Sequence, residues 1–394
     1  MRALRRALAL ILILAALAVP GAMAADDESE PSPAPEASGT VQPAGEAPAC
    51  DHPGWTDGVC VACGTPCAHE EHDYDSCVCF TCGQTVGHNY TTSKCPMCGR
   101  VPAFTDTAVE KSFFTSSSRP GTLETITYQT HDYVYERLGY GYEPFYKNMT
   151  VYLPYGYDSS KQYNVLILLH GTNGNETYWF GDNLVYTTYG ADFYVHTNRM
   201  VDNLIASGMA REMIIVTPTF YRFSNDYSRY TREKDEEQFT RELREDILPA
   251  IIERYSTYAA DGSIESVTAA RDHFAYAGLS MGSIYAYNSI MPLCLDCFAW
   301  FGCFSGSDCY VDLAVDALNS DANSAYPIRY FYNSIGTSDS MSKLHRAQFI
   351  ELTDRVDGLT DGENAWFTQI PGAGHTYSAW IVGLYNFLQV AFAI

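Results

Sequence analysis

The chain has 394 residues, enough for one large α/β domain with an appendage or for several smaller domains. Apolar residues make up 46% and charged residues 18%, a globular composition that excludes a wholly disordered or collagen-like protein. Asp plus Glu number 47 against 24 Lys plus Arg, a formal charge of −23, which excludes nucleic acid or an anionic lipid surface as the main partner, since both select basic patches.

Arg2, Arg5 and Arg6 precede an apolar run from Ala7 to Val19, which Pro20 and Gly21 break. Ala22-Met23-Ala24 then has the small-x-small form of a cleavage site. The run is too short for a stable span. Residues 1–24 are therefore expected to be a signal peptide. The mature protein is expected to be secreted or at the cell surface, with no stable membrane span after cleavage. Residues 25–49 hold six acids, no Lys or Arg and no aromatic, among many Pro, Ala, Ser and Gly. Such a segment cannot bury enough apolar area to offset its ordering entropy, so it reads as a flexible acidic linker.

Residues 50–100 carry nine of the 13 cysteines in a weak repeat. Cys50-x-His52 precedes Cys60-x-x-Cys63-Gly64, and Cys67-x-His69 precedes Cys79-x-x-Cys82-Gly83. His88 precedes Cys95-x-x-Cys98-Gly99. Each Cys-x-x-Cys-Gly has the form of a zinc knuckle, and the upstream Cys-x-His pairs complete two Cys3His sets. A segment this short and poor in aliphatics needs metal or disulfides to fold. Export favours disulfides. Nine cysteines cannot all pair, however, and a histidine at matching offsets has no role in a disulfide scaffold. The expectation is a structural zinc-ribbon-like module, used for attachment to a cell surface or polysaccharide.

From about residue 120 strands and helices alternate. Leu123 to Arg137 reads as an antiparallel edge, and Asn148 to Leu153 as a strand. Asn164 to Leu169 (NVLILL) is a continuous apolar run, as a doubly covered parallel strand should be. Phe193 to Ala206 has helical spacing, Met213 to Val216 is a buried strand, and Glu237 to Tyr255 is an amphipathic helix. Further strands are read at His273 to Ala277, Phe298 to Phe304, Arg329 to Ile335 and Trp366 to Ile370. The helices between and after them are Met281 to Ser289, Met341 to Val356 and Tyr377 to Ala393. Residues 120–394 are thus expected to form an α/β domain with a mostly parallel sheet covered on both faces.

Four strand ends carry chemistry. Gly278-Leu279-Ser280-Met281-Gly282 is G-x-S-x-G between a strand and a helix, the setting of a nucleophile elbow. His170-Gly171-Thr172-Asn173-Gly174 follows the buried strand. Its Thr172 amide and that of Met281 are the expected oxyanion donors, while His170 shapes the loop and is not the base. His375, in a glycine-rich loop after the last strand, is the expected base. Asp339, directly after the preceding strand, is the expected acid, with Asp308 its rival. Aromatic residues near these loops, Tyr178, Trp179, Tyr221, Tyr227, Tyr230, Tyr377 and Trp380, are candidate substrate contacts. Cys294, Cys297, Cys303 and Cys309 flank one strand and in an exported protein could form one or two bridges.

Together VYLPYGYD, LILLHGTNGNETYWF, AGLSMGS, IGTSD and GAGHTYSAW resemble the esterase D group of α/β-hydrolases, most of all the feruloyl and acetyl-xylan esterases of carbohydrate esterase family one. The resemblance implies an α/β-hydrolase and metal-free hydrolysis of carboxylic esters, with no cofactor for catalysis. Ser280 would be the nucleophile, His375 the base and Asp339 the orienting acid. The implied partner is an ester substrate, polysaccharide-linked. The chain departs from that pattern at Gly282-Ser283, where Gly-Gly is commoner, and in a longer polar stretch from Tyr221 to Asp235. Acyl transfer, a serine peptidase and a non-catalytic surface-binding protein are the alternatives on the same fold.

Overall fold

The structure is a computed structural model that describes residues 102–185, 193–222, 232–306 and 309–393, together with four two-residue strands between positions 55 and 79. The expected signal peptide and acidic linker lie outside the described residues.

Eight strands form one sheet: β1 (Thr122–His131), β2 (Pro144–Leu153), β3 (Asn164–Leu169), β4 (Met213–Thr217), β5 (Phe274–Leu279), β6 (Trp300–Phe304), β7 (Tyr330–Gly336) and β8 (Ala365–Ile370). Their order across the sheet is β8-β7-β6-β5-β3-β4-β2-β1, with β1 and β2 antiparallel at one edge and the other six parallel. This is the α/β-hydrolase architecture.

The apolar run of β3 explains its central place. Val165, Ile167 and Leu169 face a core that includes Phe239, Leu243 and Tyr285 from helices on one side. Leu166 and Leu168 face a second core with Met200, Leu204, Leu384 and Phe387 on the other. Register then aligns the chemistry. Gly278 of β5 sits beside Leu169 of β3, and Gly336 of β7 beside Ile370 of β8, so the loops that follow these strands emerge at one end of the sheet.

Three elements differ from their sequence reading. Phe193–Val195 is a strand paired with Asn183–Val185, and the helix is Thr197–Ala206. The Phe-Tyr-Val run prefers a pleated strand. The β1 strand ends at His131, where Asp132 caps a short helix, Tyr133–Arg137, by accepting from the Tyr135 amide at 2.7 Å. The long amphipathic helix begins earlier, at Arg232, and continues through a π segment, Leu243–Ile247, into Leu248–Arg254.

The packed domain also begins earlier than residue 120. Residues 103–115 lie as a strap against the last helix, Tyr377–Val390. The Thr105 amide donates to Asn386 Oδ1 at 2.9 Å, and Asn386 Nδ2 donates back to the Thr105 carbonyl at 2.8 Å. Gln389 makes the same pair with Ala103, at 3.2 and 3.3 Å. Phe104 packs on Tyr332 and Trp366, and Phe113 on Tyr385.

In the cysteine-rich segment, Trp55–Thr56 pairs with Val59–Cys60, and Tyr74–Asp75 with Val78–Cys79. Each hairpin ends on the first cysteine of a Cys-x-x-Cys, in the same register, so the repeat read from the sequence recurs in the backbone. The remaining candidate ligands lie outside the described residues. Cys294, Cys297, Cys303 and Cys309 are all buried and form no disulfide with one another. Among the described residues no helix is long and apolar enough to cross a membrane.

Candidate active site

The turn after β5 is tight because two glycines cross. A Cβ on Gly278 would lie 2.5 Å from the Gly282 carbonyl carbon, and one on Gly282 would lie 2.8 Å from the His170 carbonyl oxygen. Between them Ser280 takes φ 50° and ψ −112°, a left-handed conformation rare for a side chain. Its amide donates to the Phe304 carbonyl at 2.8 Å, and its own carbonyl accepts from the Ile284 amide at 3.0 Å. The strained residue is thereby fixed at both ends, with its hydroxyl raised off the turn.

The structure brings the three candidate side chains into one hydrogen-bonded chain. His375 Nε2 is 3.0 Å from Ser280 Oγ, and His375 Nδ1 is 2.8 Å from Asp339 Oδ2. The other carboxylate oxygen of Asp339 accepts from the Met341 amide at 3.0 Å. Burial pushes the Asp339 carboxyl up, but the hydrogen bonds from His375 and Met341 outweigh it and hold the group below its ordinary range. An ionised Asp339 accepts from Nδ1–H and leaves Nε2 facing the serine as an acceptor. The rival Asp308 lies outside the described residues.

The loop after β3 abuts the serine. A Cβ on Gly171 would lie 2.8 Å from Ser280 Cβ, so Thr172 follows at the edge of the same small space. Neither the Thr172 nor the Met281 amide has a hydrogen-bond acceptor among the described residues. His170 is used otherwise. It is buried, stacked on Phe220 at 4.4 Å, donates from Nδ1 to the Gly171 carbonyl at 2.7 Å and accepts at Nε2 from Thr219 Oγ1 at 2.9 Å. Burial drives its pKa down to about 4. It is a neutral brace for the loop, with neither nitrogen free for a substrate proton.

The aromatic candidates divide. Trp179 is 0% exposed and donates from Nε1 to the Leu169 carbonyl at 3.1 Å, so it is a core residue under the loop and offers no surface to a substrate. Trp380 is nearly covered as well. Its ring meets His375 edge-on at 5.0 Å and 83°, which braces the imidazole and presents no open face to a ligand. Its Nε1 has no hydrogen-bond partner among the described residues. Tyr377 is buried and donates to the Trp179 carbonyl at 3.0 Å. Tyr178 and Tyr221 keep partly open rings beside the site, and Tyr221 accepts the Asn173 amide at 3.0 Å. Tyr227 and Tyr230 lie outside the described residues. Thr219 and Met341, which hold His170 and Asp339, carry no motif that marks them in the sequence.

Residues 147–308 match the family described as "Putative esterase". The chain is 30% identical over 240 residues to endo-1,4-beta-xylanase Y of Acetivibrio thermocellus, across 58% of this chain and 20% of that one. It is 31% identical over 140 residues to an endo-1,4-beta-xylanase/feruloyl esterase of Xylanibacter ruminicola, across 34% of this chain and 16% of that one. It therefore spans about a fifth or less of these relatives' length. Among solved structures it is similar to the feruloyl esterase module of Clostridium thermocellum complexed with sinapinate, with 24% identity, 72% of this chain and 93% of that one covered, and a TM-score of 0.59. It is also similar to a CE1 ferulic acid esterase from Anaeromyces mucronatus, with 22% identity, 74% and 98% covered, and a TM-score of 0.55. The domain that carries Ser280, His375 and Asp339 thus has an α/β-hydrolase fold similar to that of the solved CE1 feruloyl esterases, and part of it matches an esterase family model.

Proposed function

We propose that the chain is a secreted serine esterase that hydrolyses feruloyl or acetyl esters on plant polysaccharide. The observation that carries this reading is the hydrogen-bond chain from Ser280 through His375 to Asp339, beside a loop whose Gly171 touches the serine. His375 Nε2 takes the Ser280 proton as Oγ attacks the ester carbonyl carbon. The oxyanion that forms is held by the Thr172 and Met281 amides. The imidazolium, stabilised by Asp339, protonates the departing sugar alcohol and leaves an acyl-enzyme on Ser280. Water attacks that ester next, gives its proton to Nε2, and the acid leaves as Oγ is reprotonated. Tyr178 and Tyr221 offer flat, partly open rings suited to a phenolic acyl group.

Residues 50–100 would form a separate module that binds about two zinc ions and serves attachment. The twin hairpins ending at Cys60 and Cys79 support that reading. Metal content of the mature protein tests it, and a metal-free module with oxidised cysteines would replace zinc by disulfides.

The function is tested by assaying purified protein and Ser280→Ala on methyl ferulate, acetylated xylan, short nitrophenyl esters and a peptide amide. Ester turnover should fall by about 10⁴ to 10⁶ in the variant. Turnover of the amide alone, or acyl transfer to an added alcohol in preference to water, would move the assignment to a peptidase or a transferase.

A further inference from the structure

The β1–β2 hairpin ends in an exposed cluster of aromatic rings that the proposed chemistry does not use. Tyr140, Tyr142 and Tyr146 are 65%, 59% and 71% exposed. Gly139 and Gly141 take φ 83° and 98°, so the loop Leu138-Gly139-Tyr140-Gly141-Tyr142 turns outward at both glycines and displays the tyrosine after each. The rings are held, not loose. Tyr140 stacks on Tyr135 at 4.6 Å and 29°, and Tyr142 lies on His131 at 4.6 Å, which in turn lies on Tyr133 at 3.8 Å. An exposed apolar cluster of ordered rings marks an interaction surface, and its rigidity lowers the entropy lost on binding.

The basic side chains at the hairpin end all face carboxylates. Arg137 meets Glu237 at 2.5 Å, Arg222 meets Glu143 at 3.0 Å, and His131 meets Glu136 at 3.0 Å. A patch whose guanidinium groups are already held by carboxylates and whose aromatic faces are open offers no free cation to an anionic polymer and suits an uncharged ligand with flat C–H faces, which is the character of a pyranose ring. Its place points the same way. Thr217 of β4 pairs with Thr150 of β2, and Asn148 of β2 with Thr127 of β1, so the hairpin tip projects from the end of the sheet where Ser280 lies. At strand spacings near 4.8 Å and rises near 3.3 Å, the tip stands about 20 Å from the serine. Residues bridge that gap: Asn173 binds Tyr221, and the next residue, Arg222, lies over the Phe145 ring at 4.8 Å.

We infer that the hairpin end is a glycan-binding platform that holds an uncharged polysaccharide chain a few sugar rings from the bond being cut. The inference rests on the polysaccharide-ester reading above and extends it from the ester to the polymer.

The test uses the mature chain with Tyr140, Tyr142 and Tyr146 replaced together by Ala, and a second variant with Phe at all three. Methyl ferulate kcat/KM should stay within about twofold of wild type, whereas kcat/KM on feruloylated arabinoxylan should fall about tenfold or more in the Ala variant. In the Ser280→Ala background, retardation by ester-free arabinoxylan in affinity electrophoresis should vanish with Ala and persist with Phe. That gel reports the platform even if neither ester is turned over, an outcome that would sink the esterase reading alone. Equal loss on polymer and small ester, unchanged retardation, or loss with Phe as complete as with Ala would overturn the platform. So would a change in sedimentation on Ala substitution, which would make a second copy of the chain the occupant.

Discussion

The Asp339 carboxylate is wholly covered, while the His375 imidazole that it holds at 2.8 Å is one-third exposed. The pair is anchored on its buried member and presents the imidazole to the site. Asp339→Asn would keep the shape but remove the charge and can donate to Nδ1, which favours the wrong tautomer. Turnover on methyl ferulate should drop by roughly 10⁴, with the melting temperature little changed. Asp308→Asn should leave turnover near wild type. The reverse result would transfer the acid's role to the loop after β6.

Gly171→Ala probes the oxyanion loop without replacing any residue of the hydrogen-bonded chain. The new methyl would lie 2.7 Å from Leu279 Cδ1 and 2.8 Å from Ser280 Cβ, so the loop must retreat. Moving the Thr172 amide off the reacting oxygen should lower kcat by about 10² to 10³, with KM changed much less. A normal kcat would mean the oxyanion is held elsewhere.

Two buried histidines set an acid limit on stability. Burial lowers His170 and His345 to about 4 from an ordinary 6.5. Between those values the unfolded chain binds a proton at each position and the folded chain does not, so stability falls as pH drops from about 6.5 to about 4. Asp235, raised to about 6 by burial and then by Glu236, acts the other way over much of that range. Burial also lowers His273 and raises Asp202, one more group on each side, so the histidines still outnumber the carboxyls and the melting temperature should decline across the window. His345→Asn keeps a donor for the Gly306 carbonyl and removes one titration, so its profile should be flatter. An unchanged slope would show that His345 is not the source.

The strap sets where the hydrolase domain can be cut. A chain beginning at residue 120 strips Asn386 and Gln389, both buried, of their Thr105 and Ala103 partners. Each unsatisfied amide costs about 1–3 kcal/mol. Thermal denaturation should therefore find a chain starting at residue 102 more stable by several degrees than one starting at 120. Equal midpoints would mean the strap only decorates the helix.

The sequence makes the centre of this fold readable and its periphery less so. NVLILL can be little other than a strand covered on both faces, and G-x-S-x-G after a strand admits few geometries. The late order of Asp339 and His375 followed from those two anchors. Residues 103–115 have no periodicity, and the hydrogen-bond partners of Ala103 and Thr105 lie more than 280 positions away, so nothing local announces the strap. Trp179 shows a different limit. A tryptophan in a loop reads equally as a sugar platform or as core, and only the packed fold places it beneath Leu169. The tyrosines of the hairpin tip went the opposite way, because an edge strand looks the same in sequence whether its end is bare or engaged.

The reciprocal amide pair between Ala103 and Gln389 has a further consequence. It brings the entry and exit of the hydrolase domain side by side, on the last helix. A fold whose two ends meet can be spliced into a surface loop of another protein, or reopened elsewhere after its ends are joined, without disturbing the sheet. With Ala103 held against Gln389, joining the two ends and opening the chain in a surface loop far from Ser280 would leave the geometry around that serine the same.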